Sequence, residues 1–119
     1  MVKYVQCIRR RAGLTVPEFR TRWTAYAENI RRIAPGLGAK RVSLSTMLAV
    51  GDNVRIQTQR GTADPFDGMV EVYFQSGAKT IETILSSPAN LAAMEEMVRA
   101  LSEFADIPGS AFFWAQDDD

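Results

Sequence analysis

The stretch Phe66-Asp67-Gly68-Met69-Val70-Glu71-Val72-Tyr73-Phe74-Gln75-Ser76 decides the fold. Asp67-Gly68 reads as a turn that opens into a strand of about Gly68 to Phe74. Strand side chains alternate between faces, so Met69, Glu71 and Tyr73 share one side and Val70, Val72 and Phe74 the other. Both sides are apolar and aromatic enough to be buried, which suits a strand covered on two faces. Glu71 stands out among them. A carboxylate in such a setting is either paired with a cation or, unpaired, holds its proton tightly enough to work as a general acid or base.

Upstream, Val2 to Arg9 alternates Val2, Tyr4, Gln6 and Ile8 against Lys3, Val5, Cys7 and Arg9, a strand pattern. Thr15-Val16-Pro17-Glu18 is a capping-box start, and Phe19, Trp23, Tyr26, Ala27, Ile30 and Ile33 then recur at helical spacing. The outer face of this helix is charged, with Glu28 placed to pair with Arg31 or Arg32. Pro35-Gly36-Leu37-Gly38 is expected to stop it. Lys40 to Leu48 reads as a second strand with Val42, Leu44 and Thr46 on one face, and Val50 to Pro65 as a long connection in which Val54 to Gln57 suggest a short extra strand.

After the central stretch, Ser76 is placed to cap a short helix containing Ile81, Ile84 and Leu85. Ser87-Pro88 restarts a longer one, whose inner stripe is expected to be Leu91, Met94, Val98, Leu101 and Phe104. Ile107-Pro108-Gly109 should end that unit, and Ser110 to Trp114 form the last strand. The order strand, helix, strand, strand, helix, strand predicts an α+β, ferredoxin-like βαββαβ domain spanning residues 1–119, with a four-stranded antiparallel sheet. Helices would cover one sheet face. The other, still partly apolar, is expected to meet a second copy sheet against sheet in a homodimer.

Composition excludes several functions. With 14 basic and 14 acidic residues the formal charge is zero, which is not the basic footprint of a nucleic-acid binder. No apolar run approaches the length needed to span a bilayer, and Lys3 interrupts the first one at once, so neither membrane association nor a signal peptide is expected. A single cysteine builds no internal disulfide and fits a reducing, cytoplasmic compartment. The absence of histidine rules out a Ser-His-Asp site and leaves no metal site built on nitrogen or sulfur, and no cofactor fingerprint occurs. Asp117-Asp118-Asp119 reads as a frayed acidic tail.

The opening Val2 to Arg10, Pro17-Glu18-Phe19 with Trp23, the Phe66 to Phe74 stretch and the apolar last strand together resemble the EthD-domain proteins of the dimeric α/β barrel superfamily. That resemblance implies a dimeric α/β barrel with a small-molecule cavity, in a superfamily that includes cofactor-free cyclases, isomerases and monooxygenases. Family members commonly have a histidine four residues after the helix tryptophan. Here that position is Ala27, so the usual base is missing and the space around it is larger.

Proton transfer would then fall to Glu71, Asp67 or a tyrosine. If Glu71 faces the helices, Tyr4, Gln6, Trp23 and Tyr73 border the same cavity, with Tyr4 or Tyr73 donating to a substrate carbonyl and Tyr26, Ala27 and Met69 completing the walls. The alternatives are structural. Glu71 pairs with Lys40, Arg41 or Arg9; Asp67 serves its turn; the aromatic residues are core, Trp23 being the one best placed for a cavity; and Cys7 is a small buried hydrophobe. Three functions follow as expectations: a cofactor-free lyase, isomerase or cyclase acting on a hydrophobic aromatic or polyketide-like carbonyl compound, a noncatalytic small-ligand-binding or accessory protein, and a cofactor-free monooxygenase.

Overall fold

The computed structural model describes residues 1–76 and 80–117. Four strands, β1 (Val2–Arg10), β2 (Arg41–Thr46), β3 (Gly68–Phe74) and β4 (Ala105–Gln116), form one antiparallel sheet in the order β2-β3-β1-β4. Helices α1 (Val16–Ile33), α3 (Thr80–Ser86) and α4 (Pro88–Ser102) pack on one face, giving the ferredoxin-like βαββαβ arrangement. An additional helix, α2 (Gly51–Arg60), lies between β2 and β3.

Local chemistry accounts for these elements. The Thr15 side chain accepts from the Glu18 amide while the Glu18 carboxylate accepts from that of Thr15, closing the capping box of α1. Phe19, Trp23, Tyr26 and Ile30, spaced by three or four residues, are its buried stripe. They meet Ile8, Val70, Val72 and Phe74 from the sheet and Leu101 and Phe104 from the α4 side to make the core. Gly68 is a packing requirement. A Cβ there would stand 2.7 Å from the Trp23 ring, so only glycine lets this indole lie against β3.

Several boundaries differ from the sequence reading. α1 does end at the expected Pro35 to Gly38 break, and there the chain tightens into a 3-10 turn, Ala34–Leu37, closed by Gly38 with a φ of 89°. Arg32 bonds Asn29 at 3.0 Å, and no ion pair to Glu28 occurs among the described residues. The segment read as loop with a short strand is α2, which has no buried residue and leaves Val54 and Ile56 exposed. The strand-like Val-x-Ile spacing misled because no neighbouring strand is there to pair with it.

The inner stripe of α4 is Met94, Met97 and Leu101, continued by Phe104 in the turn that follows, with Leu91 and Val98 turned outward. β4 starts at Ala105, five residues earlier than expected. Pro108-Gly109 interrupts the register with β1 between Cys7 and Arg9 without ending the strand, because an edge strand tolerates a missing donor. The expected Ser76 cap leads into residues 77–79, and the tail includes 118–119; both lie outside the described residues.

Candidate functional site

The two faces of the sheet differ in chemistry. Tyr4 and Gln6 of β1, Val72 and Phe74 of β3 and Trp114 of β4 point to the helices, where Ile30, Ile33, Ala34 and Leu37 from α1 and the 3-10 turn, Ile84 from α3, and Met94 and Met97 from α4 face them. These side chains line a cavity of about 30 Å³. Its wall is apolar except at Tyr4 and Gln6. Gln6 is 2% exposed, and its Oε1 accepts the Tyr26 hydroxyl at 2.7 Å. Tyr4 also interacts with Gln6 and packs against Trp114 with ring centroids 5.3 Å apart.

Burial sets the protonation of this cluster. It pushes the phenol of Tyr26 well above its ordinary value, and that of Tyr4 upward too, with hydrogen bonding to Gln6 opposing the rise in each case. Both phenols therefore stay protonated at neutral pH and act as hydrogen-bond donors, not bases. No buried side-chain polar atom lacks a partner among the described residues, so the cluster is satisfied by its own neighbours.

Glu71 is on the opposite face. Register fixes it there: Glu71 pairs with Val5 of β1 and Ser43 of β2, in the alternation that places Val70 and Val72 toward the helices. Its Oε2 accepts the Tyr73 hydroxyl at 2.5 Å and lies 3.7 Å from Lys3 Nζ, with both side chains of the ion pair about four-fifths buried. The grouping of Glu71 and Tyr73 with Tyr4, Gln6 and Trp23 around one cavity is thus corrected. The partner of Glu71 is Lys3, because Lys3 and Tyr73 are directly opposite across the strands, while Arg41 stacks on the Tyr73 ring 3.9 Å from its centroid. Met69 shares this open face with Cys7 and Ser45. The Cys7 thiol is pushed up by burial and by the nearby Glu71 charge.

Asp67 belongs to a structural knot. One carboxylate oxygen accepts the Arg10 amide at 2.7 Å, the other faces Arg10 Nε at 3.4 Å, and the Asp67 amide donates to the Ile8 carbonyl. This pins the turn before β3 and occupies the carboxylate. Trp23 is held between Phe19 and Tyr26 and against Gly68, away from the cavity wall, and Trp114 lines it instead. Ala27 is half-buried beside the core, one turn before the cavity-lining Ile30 to Leu37. Tyr26 turns inward to donate its hydroxyl to Gln6 and is not among the residues lining the cavity it was expected to wall. Sequence reading placed Met94 on the inner stripe and missed Met97. Its spacing with Leu101 was the available signal, but the competing 91-94-98 stripe looked equally apolar. Among the described residues no three Cys, Asp or Glu side chains gather to hold a metal, and no helix is long and apolar enough to cross a membrane.

Solved structures share the fold over nearly the whole chain. A dimeric ferredoxin-like protein of unknown function from Bacteroides fragilis is 13% identical with a TM-score of 0.63, covering 98% of this chain and 95% of its own. The hydroxynitrile lyase of Passiflora edulis is 19% identical with a TM-score of 0.56, over 99% and 95%. SnoaB, a cofactor-independent oxygenase from Streptomyces nogalater, is 15% identical with a TM-score of 0.53, over 99% and 93%. No curated protein is a significant match to the sequence. The EthD domain model matches residues 11–106, most of the chain and every element from α1 to α4, and the protein therefore belongs to the EthD domain family.

Proposed function

We propose that this protein binds a small hydrophobic compound bearing a carbonyl or hydroxyl group, aromatic or polyketide-like, in the cavity between sheet and helices, and releases it unchanged. One observation carries the reading: Tyr4 and Gln6 are the polar members of an otherwise apolar wall, while Glu71 and Asp67 lie outside it in ion pairs. The wall can orient a ligand oxygen by hydrogen bonding, but it offers no group suited to taking a proton at neutral pH. At about 30 Å³ the cavity has room for roughly two water molecules. A larger ligand enters by displacing Met94 and Met97, whose unbranched side chains repack at low cost.

Cofactor-free catalysis is the second reading, as a lyase, isomerase, cyclase or monooxygenase, and the lyase and oxygenase among the structural neighbours give it context. It is supported by Tyr4 and Gln6, which could stabilise an oxyanion on a substrate whose own reactivity supplies the rest. The deciding experiment titrates aromatic ketones into a Trp23→Phe variant, which leaves Trp114 as the only tryptophan, and follows its fluorescence. Saturable quenching with the ketone recovered intact is expected. Proton exchange, bond cleavage or oxygen uptake would replace binding by catalysis, and no quenching by any ketone would remove the cavity as a site.

We further infer that two copies pair through their open sheet faces, as the dimeric α/β barrel would have it, in a reducing compartment that keeps Cys7 a thiol. Phe113 projects from that face 46% exposed, with Val5 at its centre. Sedimentation at micromolar concentration should give a dimer, and Phe113→Asp a monomer.

A further inference from the structure

Tyr26 does not line the cavity, yet its hydroxyl decides which end of the Gln6 amide the cavity meets. The Tyr26 ring is 2% exposed and packs against Trp23 and Phe104, with centroids 5.9 and 5.8 Å away. Among the described residues its hydroxyl has one side-chain partner, Gln6 Oε1 at 2.7 Å. Burial keeps this phenol protonated, so the hydrogen belongs to Tyr26 and the amide oxygen accepts it. A glutamine amide accepts at one end and donates at the other. With its oxygen committed to Tyr26, Gln6 has only the Nε2 donor left for the cavity side.

Tyr4 stands beside Gln6 on the same face of β1 and interacts with it. An amide N–H has no lone pair to offer, so in that contact the Tyr4 oxygen accepts and its own hydrogen is left for another partner. The rest of the wall does not take that hydrogen. Apart from the weakly accepting sulfurs of Met94 and Met97, the other lining side chains are aliphatic or aromatic, and the Trp114 indole has an N–H but no acceptor. Donation therefore runs one way, from Tyr26 to Gln6, from Gln6 to Tyr4, and from Tyr4 into the cavity.

We propose that this one-way chain makes the cavity selective for an oxygen that accepts without donating, the carbonyl of a ketone, aldehyde or quinone, over the matching alcohol. Tyr26 is the positioning residue that sets the direction. The inference rests on the cavity being the binding site proposed above. A bound carbonyl receives the Tyr4 hydrogen and has no donor of its own to satisfy. A bound alcohol also accepts that hydrogen, but its own is then buried among side chains such as Ile33, Leu37 and Met94. A buried donor without a good acceptor should cost the alcohol about tenfold or more in affinity.

NMR titration of the full chain with acetophenone and with 1-phenylethanol, which are alike in size and shape, tests the proposal at the Met94 and Met97 methyl groups. Both should saturate, the ketone about tenfold or more tighter. The carbonyl stretch of the bound ketone should move to lower frequency, and less so in Tyr4→Phe. In Tyr26→Phe the amide oxygen of Gln6 is released. Tyr4 can then donate to that oxygen and turn a lone pair to the ligand, so the alcohol should gain on the ketone and the two affinities converge. A purely structural effect would weaken both ligands alike, and an unchanged ratio in Tyr26→Phe overturns its positioning role. Equal affinities for the wild-type chain overturn the selectivity but leave the cavity as a binding site. No methyl shift with either ligand overturns both.

Discussion

The two faces of the β-sheet use the same strands for opposite purposes. On β3, Val70, Val72 and Phe74 join the core, while Glu71 and Tyr73, one residue along, link to Lys3 and Arg41. On β1, Tyr4 and Gln6 reach the cavity, while Lys3, Val5 and Cys7 look away from it. Burial is similar on both sides: Tyr73 is 5% exposed and Val72 6%. What separates the faces is the partner. The helix side meets apolar side chains from another layer, and the open side satisfies its polar groups within the sheet itself. Burial of an ionisable side chain is therefore no guide to chemistry until its face is known.

Changes on the two faces should separate in their effects. The largest loss of stability is expected from Leu101→Ala, which empties a fully buried site and should cost about 2–5 kcal/mol in chemical denaturation. Gly68→Ala follows at about 1–3 kcal/mol, since the new Cβ meets the Trp23 ring, and a neutral result would mean that the indole can move. Tyr26→Phe should cost about 1 kcal/mol near neutral pH for the lost bond to Gln6.

Tyr26 also sets a pH dependence. Burial raises its phenol above the ordinary 10.0, so above that pH the unfolded chain has released a proton that the folded chain still holds. The contribution is whole below pH 10.0 and declines as pH climbs toward the folded value, so thermal midpoints should drop in strong alkali, and less steeply in Tyr26→Phe. The smallest effect belongs to the open face. Glu71→Gln should change stability by about 1 kcal/mol or less, because the Lys3 ammonium, 3.7 Å from the carboxylate and one-fifth exposed, can turn to solvent and the amide still accepts from Tyr73. Ligand quenching of Trp114 should be unaffected in this variant. A loss of quenching there would break the division between the faces.

The alternation in Gly68 to Phe74 was legible in the sequence because a period of two depends on the chain alone. So was the capping box of α1, which closes within four residues. Which face of β3 the helices would cover was not legible, since both sets of side chains are apolar enough to be inside. Lys3 was overlooked as the partner of Glu71 because a cross-strand neighbour is set by register, not by spacing. Trp23 looked like a cavity wall until Gly68, more than forty residues away in sequence, proved to be the surface it rests on. α2 was missed for a related reason: with no buried stripe, its residues carry little helical periodicity to read.

The Cα radius of gyration of 15.3 Å exceeds the roughly 13.5 Å typical of a compact chain of this length, in keeping with a helix that buries nothing. The segment from Leu48 to Asp64 is tethered at its ends, where Arg20 donates to the Met47 carbonyl at 2.7 Å and Arg9 to that of Asp64 at 3.0 Å. Such an excursion can open without disturbing the core, and its amides should exchange deuterium ahead of those in α1. For an experimenter it is the natural place to graft a fluorophore or an affinity tag.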